Sequence, residues 1–181
     1  KETKVNKLFL VSGHSGGGKT TIMRRLMNNE IISFTTRLKR PHEIDGKDYI
    51  FITKEQYRDM LQKGELAEWT EYGGNYYGLT KQEIDSKLQK DHAYCIVDAH
   101  GMQQLKRLYP NTATIFIYTS KEDAEKQMRQ RGESETTIQL RLSTYEEEML
   151  NRHLYDYVVR NNHGRLEDTI EIVRNIILAE I

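Results

Sequence analysis

The run Gly13-His14-Ser15-Gly16-Gly17-Gly18-Lys19-Thr20 constrains this chain more than any other feature, because it fits G-x-x-x-x-G-K-S/T and separates two opposite patterns. Before it lies the apolar stretch KLFLV, and after it the amphipathic TTIMRRLM. Strand, glycine-rich loop and helix in that order let the loop N–H groups converge on phosphate oxygens at a helix N-terminus. Lys19 then reaches the β- and γ-phosphates of a nucleoside triphosphate, and the Thr20 hydroxyl can ligate Mg²⁺.

The rest of the chain repeats the alternation. Short apolar runs predict strands over 7–11, 49–52, 66–71, 93–98, 114–118 and 156–159. Thr53 with Gln56, Thr80 with Glu83 and Ser120 with Asp123 are spaced as helix caps, predicting helices over 54–63, 81–90 and 121–130. Ile138, Leu142, Tyr145 and Met149 recur with helical spacing, as do Leu166, Ile170, Val173 and Ile177. Strands alternating with helices imply an α/β fold with a mainly parallel sheet covered on both faces and ligands at the carboxyl ends of its strands. With 181 residues, two prolines and no internal repeat, one domain is expected.

Charge narrows the partners. Lys plus Arg and Asp plus Glu each number 27, which argues against a general polycation that binds nucleic acid. The balance is local: residues 1–40 hold nine basic and two acidic side chains, so the positive charge gathers around the glycine-rich loop. The single cysteine, Cys95, cannot close an intrachain disulfide and excludes zinc sites that need two thiolates. No run approaches about 18 apolar residues, and the apolar stretch near the N-terminus is too short for a secretory signal. A cytoplasmic protein with neither membrane nor nucleic-acid partner is expected.

A second anion site is suggested by Arg37 and Arg40 in SFTTRLKRP, followed by EIDGKDY with Tyr49. Arginine presents a planar fork suited to a phosphate, and a tyrosine hydroxyl adds a donor. GELAEW and GNYYG follow. In the order and spacing of these blocks, from Lys7 to about Asn161, the chain resembles the guanylate kinases. The resemblance implies a P-loop NTPase three-layer core with a parallel sheet (1–32, 92–119 and 151–181), a GMP-binding subdomain inserted at 33–91 and a helical lid at 120–150. It implies ATP-dependent phosphorylation of GMP and dGMP with Mg²⁺. Position by position, Arg37, Arg40, Tyr49 and Tyr77 match residues that hold the GMP phosphate, and Ser33 and Glu68 match readers of the guanine edge. Glu68 suits that task, since a carboxylate accepts from guanine N1–H and the N2 amine. Arg131 and Arg141 match the lid arginines, Asn161 matches an asparagine near the adenine end of ATP, and Asp98 matches a carboxylate that orients Mg²⁺ and its waters.

Three positions depart from the family pattern. Leu79 stands where Ser or Thr helps to read guanine, so Leu79→Thr is expected to improve GMP affinity. His100 stands where a second carboxylate faces the acceptor nucleotide, and is expected to hydrogen-bond there instead. Gln127 replaces a common arginine. These changes leave open a kinase of the same fold acting on another phosphorylated metabolite. A non-catalytic guanylate kinase-like binding module is the other alternative, against which Lys19 and Thr20 argue. Monomer and dimer are equally open.

Overall fold

In strand β1 (Leu8–Ser12) every residue is buried, as befits a central strand with helices on both faces. The computed structural model of the chain describes residues 5–181. β1 pairs in parallel with β6 (Ala93–Ile96) on one side and β7 (Thr112–Tyr118) on the other, and β7 pairs in parallel with β8 (Tyr157–Arg160). The order β6-β1-β7-β8 is the expected parallel sheet.

Alternation along β1 splits the core. Leu8 and Leu10 face one cluster with Cys95, Met102, Leu105 and Phe116, whereas Phe9 and Val11 face another with Ile22, Met23, Ile170 and Val173. The second cluster is covered by α1 (Lys19–Leu26) and α8 (Leu166–Glu180), the first by α3 (Lys81–Lys90) and α4 (Ala99–Leu108).

Residues 34–80 build a separate sheet of order β3-β2-β5-β4, from β2 (Phe34–Thr35), β3 (Ile50–Phe51), β4 (Leu66–Tyr72) and β5 (Asn75–Thr80). It has its own small core of Phe34, Tyr57 and Leu66, closed by α2 (Lys54–Gln62). The three expected caps form: Thr53, Thr80 and Ser120 each accept from the N–H three residues on, and α5 runs Lys121–Gln130. Trp69, on β4, is 39% exposed.

Five features depart from the sequence reading. Strands β2 and β5 and helix α4 were not anticipated: β2 is two residues long, and α4 carries Gly101, a poor helix former, in its first turn. The strand expected over 93–98 stops at Ile96, because the Asp98 side chain accepts from Gly101 N–H and starts α4. The helix expected through 138–149 divides into α6 (Glu135–Ser143) and α7 (Tyr145–Met149). At the break, Ser143 and Thr144 donate their hydroxyls to the carbonyls of Leu140 and Arg141, a competition with the backbone that bends helices.

Candidate active site

The glycine-rich loop turns sharply off β1 against β7. A Cβ at Gly13 would lie 2.0 Å from the Ile117 carbonyl oxygen, so only glycine passes there. Beyond it, Gly17 N–H donates to His14 O, and Lys19 Nζ donates to the same oxygen at 3.3 Å. Asn161, next after β8, donates its amide to Gly17 O at 3.1 Å and so braces the loop. Its Oδ1 is buried without a partner, and the residue bounds, with Asp123, Gln127 and His163, a hollow of about 220 Å³.

Lys19 opens into a cleft of about 670 Å³, within the range of small-molecule sites. Thr20 and Ser15 line it from the loop, Tyr49 from the second sheet, and Arg131 and Arg141 from the α5–α6 region. Burial pulls the Lys19 ammonium down to about 8, opposed by Glu148 and reinforced by Arg131 and Arg141. Three cations thus share one cleft, an arrangement suited to a multiply charged anion. Arg141 donates to Ser15 Oγ at 2.8 Å and pairs with Glu133 at 3.4 Å.

On the second sheet, Arg37 forms a two-pronged pair with Glu43, both contacts 2.8 Å. Glu43 also accepts from Arg40 N–H at 2.8 Å, and chiefly the Arg37 guanidinium holds its carboxyl down at about 2. Arg37 lies over the Tyr49 ring, 5.5 Å from its centre, and Tyr49 meets Tyr77 edge-on at 5.9 Å. The predicted phosphate set of Arg37, Arg40, Tyr49 and Tyr77 is therefore one neighbourhood. Glu43 was missed by the sequence reading; its signal was a carboxylate three residues after the second arginine.

Glu68, on β4, is 9% exposed and sits against α4. A Cβ at Gly101 would lie 3.1 Å from Glu68 Oε2 and 3.2 Å from Asp98 Oδ1, so the glycine leaves room for two carboxylates. Burial, and then the Asp98 charge, push Glu68 up to about 7. Leu79 pairs in register with Glu68 and is fully buried among Ala67, Ile84 and Met102. Ser33 stands just before β2, its carbonyl accepting from Ile50 N–H. His100 is exposed on the first turn of α4, bounding a hollow of about 440 Å³ with Ser12, Gly13, Asp98 and Glu148.

Asp98 caps α4 and faces Glu68, whereas Ile96 is the β6 residue that lines the Lys19 cleft. Among the described residues no three His, Cys, Asp or Glu side chains are arranged to hold a metal. One hydroxyl and one carboxylate, the expected pair Thr20 and Asp98, would suit a cation carried in on triphosphate oxygens and waters rather than one caged by protein. No helix among the described residues is long and apolar enough to cross a membrane.

Comparisons with known proteins agree with this geometry. The family model described as guanylate kinase matches residues 5–180. The chain is 35% identical to the guanylate kinase of Thermotoga maritima, over 96% of this chain and 87% of that one. It is 36% identical to that of Nitrosomonas europaea, over 96% of this chain and 89% of that one. A crystal structure of guanylate kinase from Anaplasma phagocytophilum superposes with a TM-score of 0.74 at 27% identity, covering 98% of this chain and 87% of that one. The match spans the phosphate loop, the second sheet and the helices between them, and this chain belongs to the guanylate kinase family.

Proposed function

We propose that this chain transfers the γ-phosphoryl group of ATP to GMP, and to dGMP. The observation that carries the proposal is the shared cleft, where Lys19 of the phosphate loop, Tyr49 of the second sheet, and Arg131 and Arg141 converge. One anion held by the loop and another held by Arg37, Arg40, Tyr49 and Tyr77 would meet there. In this reading, residues 33–91 form the acceptor subdomain and 120–150 the lid.

The loop amides and Lys19 bind the triphosphate, and Asn161 keeps the loop in shape near the adenine end. The Thr20 hydroxyl, with Asp98 acting through waters, would hold a Mg²⁺ brought in by the nucleotide, and that ion would supply neutralisation of phosphate charge. Ser33 and Glu68 take the guanine edge, with ionised Glu68 accepting from N1–H and N2, and His100 stands near the acceptor nucleotide. Phosphoryl transfer passes through a loose transition state that asks for alignment and charge neutralisation rather than a protein nucleophile. Lys19, Arg37, Arg40, Arg131 and Arg141 supply both, and closure of α5–α7 over the cleft keeps water from the γ-phosphate. The acceptor phosphate oxygen is already anionic and needs no general base.

A coupled assay of ADP release over GMP, dGMP, AMP, CMP, UMP and phosphorylated sugars tests the proposal. Turnover with GMP and dGMP and little with the others is expected. Activity on a non-guanine acceptor with none on GMP would overturn it, as would a complete lack of nucleotide turnover.

A further inference from the structure

His14 is a buried ionisable side chain that the chemistry above leaves unused. Its residue is 2% exposed, and both ring nitrogens are engaged. Nδ1 lies 2.9 Å from Ser15 O, and Nε2 lies 3.1 Å from Thr119 N. Nε2 also lies 3.2 Å from Thr119 O; in the neutral tautomer that donates Nδ1–H to Ser15 O, Nε2 accepts from Thr119 N–H. The ring also rests on Tyr145, centre to centre 4.6 Å, and the Tyr145 hydroxyl donates to Thr119 O at 2.6 Å.

These partners lie on three elements. Ser15 belongs to the phosphate loop and takes a hydrogen bond from Arg141. Thr119 is the last residue before Ser120, the cap of α5. Tyr145 opens α7, the helix that returns the chain from the arginine-bearing segment. One imidazole therefore joins the loop to both ends of the segment that carries Arg131 and Arg141.

We propose that neutral His14 is a positioning residue, coupling the phosphate loop to the hinge of α5–α7 so that a filled loop sets Arg131 and Arg141 for transfer. This rests on the phosphoryl-transfer reading above. A protonated ring can no longer accept from Thr119 N–H, and its Nε2–H turns to Thr119 O instead, so the tie to that amide is lost. Burial lowers the His14 pKa from its ordinary 6.5, and Lys19 adds to that. Glu148 opposes it, and Tyr145 is the other titratable group against the ring.

Two variants separate coupling from packing. His14→Phe keeps an aromatic ring on Tyr145 but removes both hydrogen bonds, while His14→Gln restores an acceptor for Thr119 N–H. In His14→Phe, amide exchange at Thr119 is expected to quicken at least about tenfold. Its kcat should fall about tenfold or more with the ATP KM within about threefold of wild type, and His14→Gln should recover most of both. Unchanged Thr119 exchange, or unchanged kcat, in a folded His14→Phe overturns the proposal, as does a folded His14→Gln no better than His14→Phe. If His14→Phe does not fold, the acid limb decides: wild-type kcat should fall more steeply than that of His14→Gln as pH drops below 6.5, and superimposable profiles overturn the coupling. Absence of GMP turnover in wild type would instead sink the kinase reading, with Thr119 exchange still testing the tie.

Discussion

On the β1–α1 side of the cleft, the groups offered to a phosphate are backbone amides of a loop fixed by close contact, with Gly13 against Ile117 and Asn161 against Gly17. On the 34–80 side they are side chains of a small sheet, and the chief among them, Arg37, is already paired with Glu43. The first region is preorganised by main-chain geometry; the second holds its cation in place with an internal counter-ion. A dianion arriving beside Arg37 must share or displace Glu43, and so finds the guanidinium aligned but not free. Preorganisation of that kind lowers the ordering cost of binding while taxing the electrostatic gain.

The sharpest way to break this comparison is at Lys19, the one side chain on which the backbone-built side depends. Lys19→Met removes the charge from the cleft and is expected to lower kcat by about 100–1000-fold, the scale of a lost transition-state electrostatic contact. Steady-state ADP release measures it; a loss below tenfold would mean that the amides suffice. In wild type, kcat/KM for ATP should fall as pH rises through about 8, where free-enzyme Lys19 loses its proton. That fall should vanish in the variant.

Glu68 tests the side-chain-built region. Glu68→Gln keeps the shape but turns one acceptor into a donor facing guanine, with an expected loss of about 10–100-fold in kcat/KM for GMP. The same carboxyl has its folded pKa raised from 4.5 to about 7, so it favours the folded state below 4.5 relative to higher pH. That advantage is lost as pH rises through about 7, where the buried charge costs about 1–3 kcal/mol. Glu68→Gln should therefore gain Tm over wild type at pH 8 and gain little at pH 4. An equal difference at both pH values would show that the carboxyl is not strained by burial.

Glu43→Gln releases Arg37 while keeping an acceptor near Arg40 N–H. If the counter-ion chiefly aligns the guanidinium, the GMP KM should rise about tenfold with kcat little changed. A lower KM would mean that Glu43 acts mainly as a competitor for the phosphate.

What was legible in the sequence divides along the same line. The phosphate loop could be read because its function lies in spacing: glycines that permit close approach, then Lys19 and Thr20 at a helix start. The caps at Thr53, Thr80 and Ser120 were equally local and matched their helices. Glu43 and the His14 imidazole were illegible because their roles arise from contacts, one within a loop and the other across 105 residues to Thr119. The neighbour of Asp98 is hidden in the sequence in the same way. The match of Asp98 to the family carboxylate that orients Mg²⁺ is local, but that it also caps α4 and lies beside Glu68 comes from contacts.

Leu79→Thr gives the smallest and most two-sided effect. Leu79 lies across from Glu68 in the β4–β5 ladder, so a hydroxyl there shares a face with the carboxylate and can add one hydrogen bond to Glu68 or to guanine. Yet Leu79 is fully buried in the main core, and exchanging its apolar volume for a smaller, polar side chain should cost about 1–3 kcal/mol of stability. The expected outcome is a GMP KM lowered about two- to fivefold, together with a lower Tm. Measured side by side, the two readouts separate a reading group from a packing group: a lower Tm with an unchanged KM would assign position 79 wholly to the core, leaving Glu68 to read the base without help from β5.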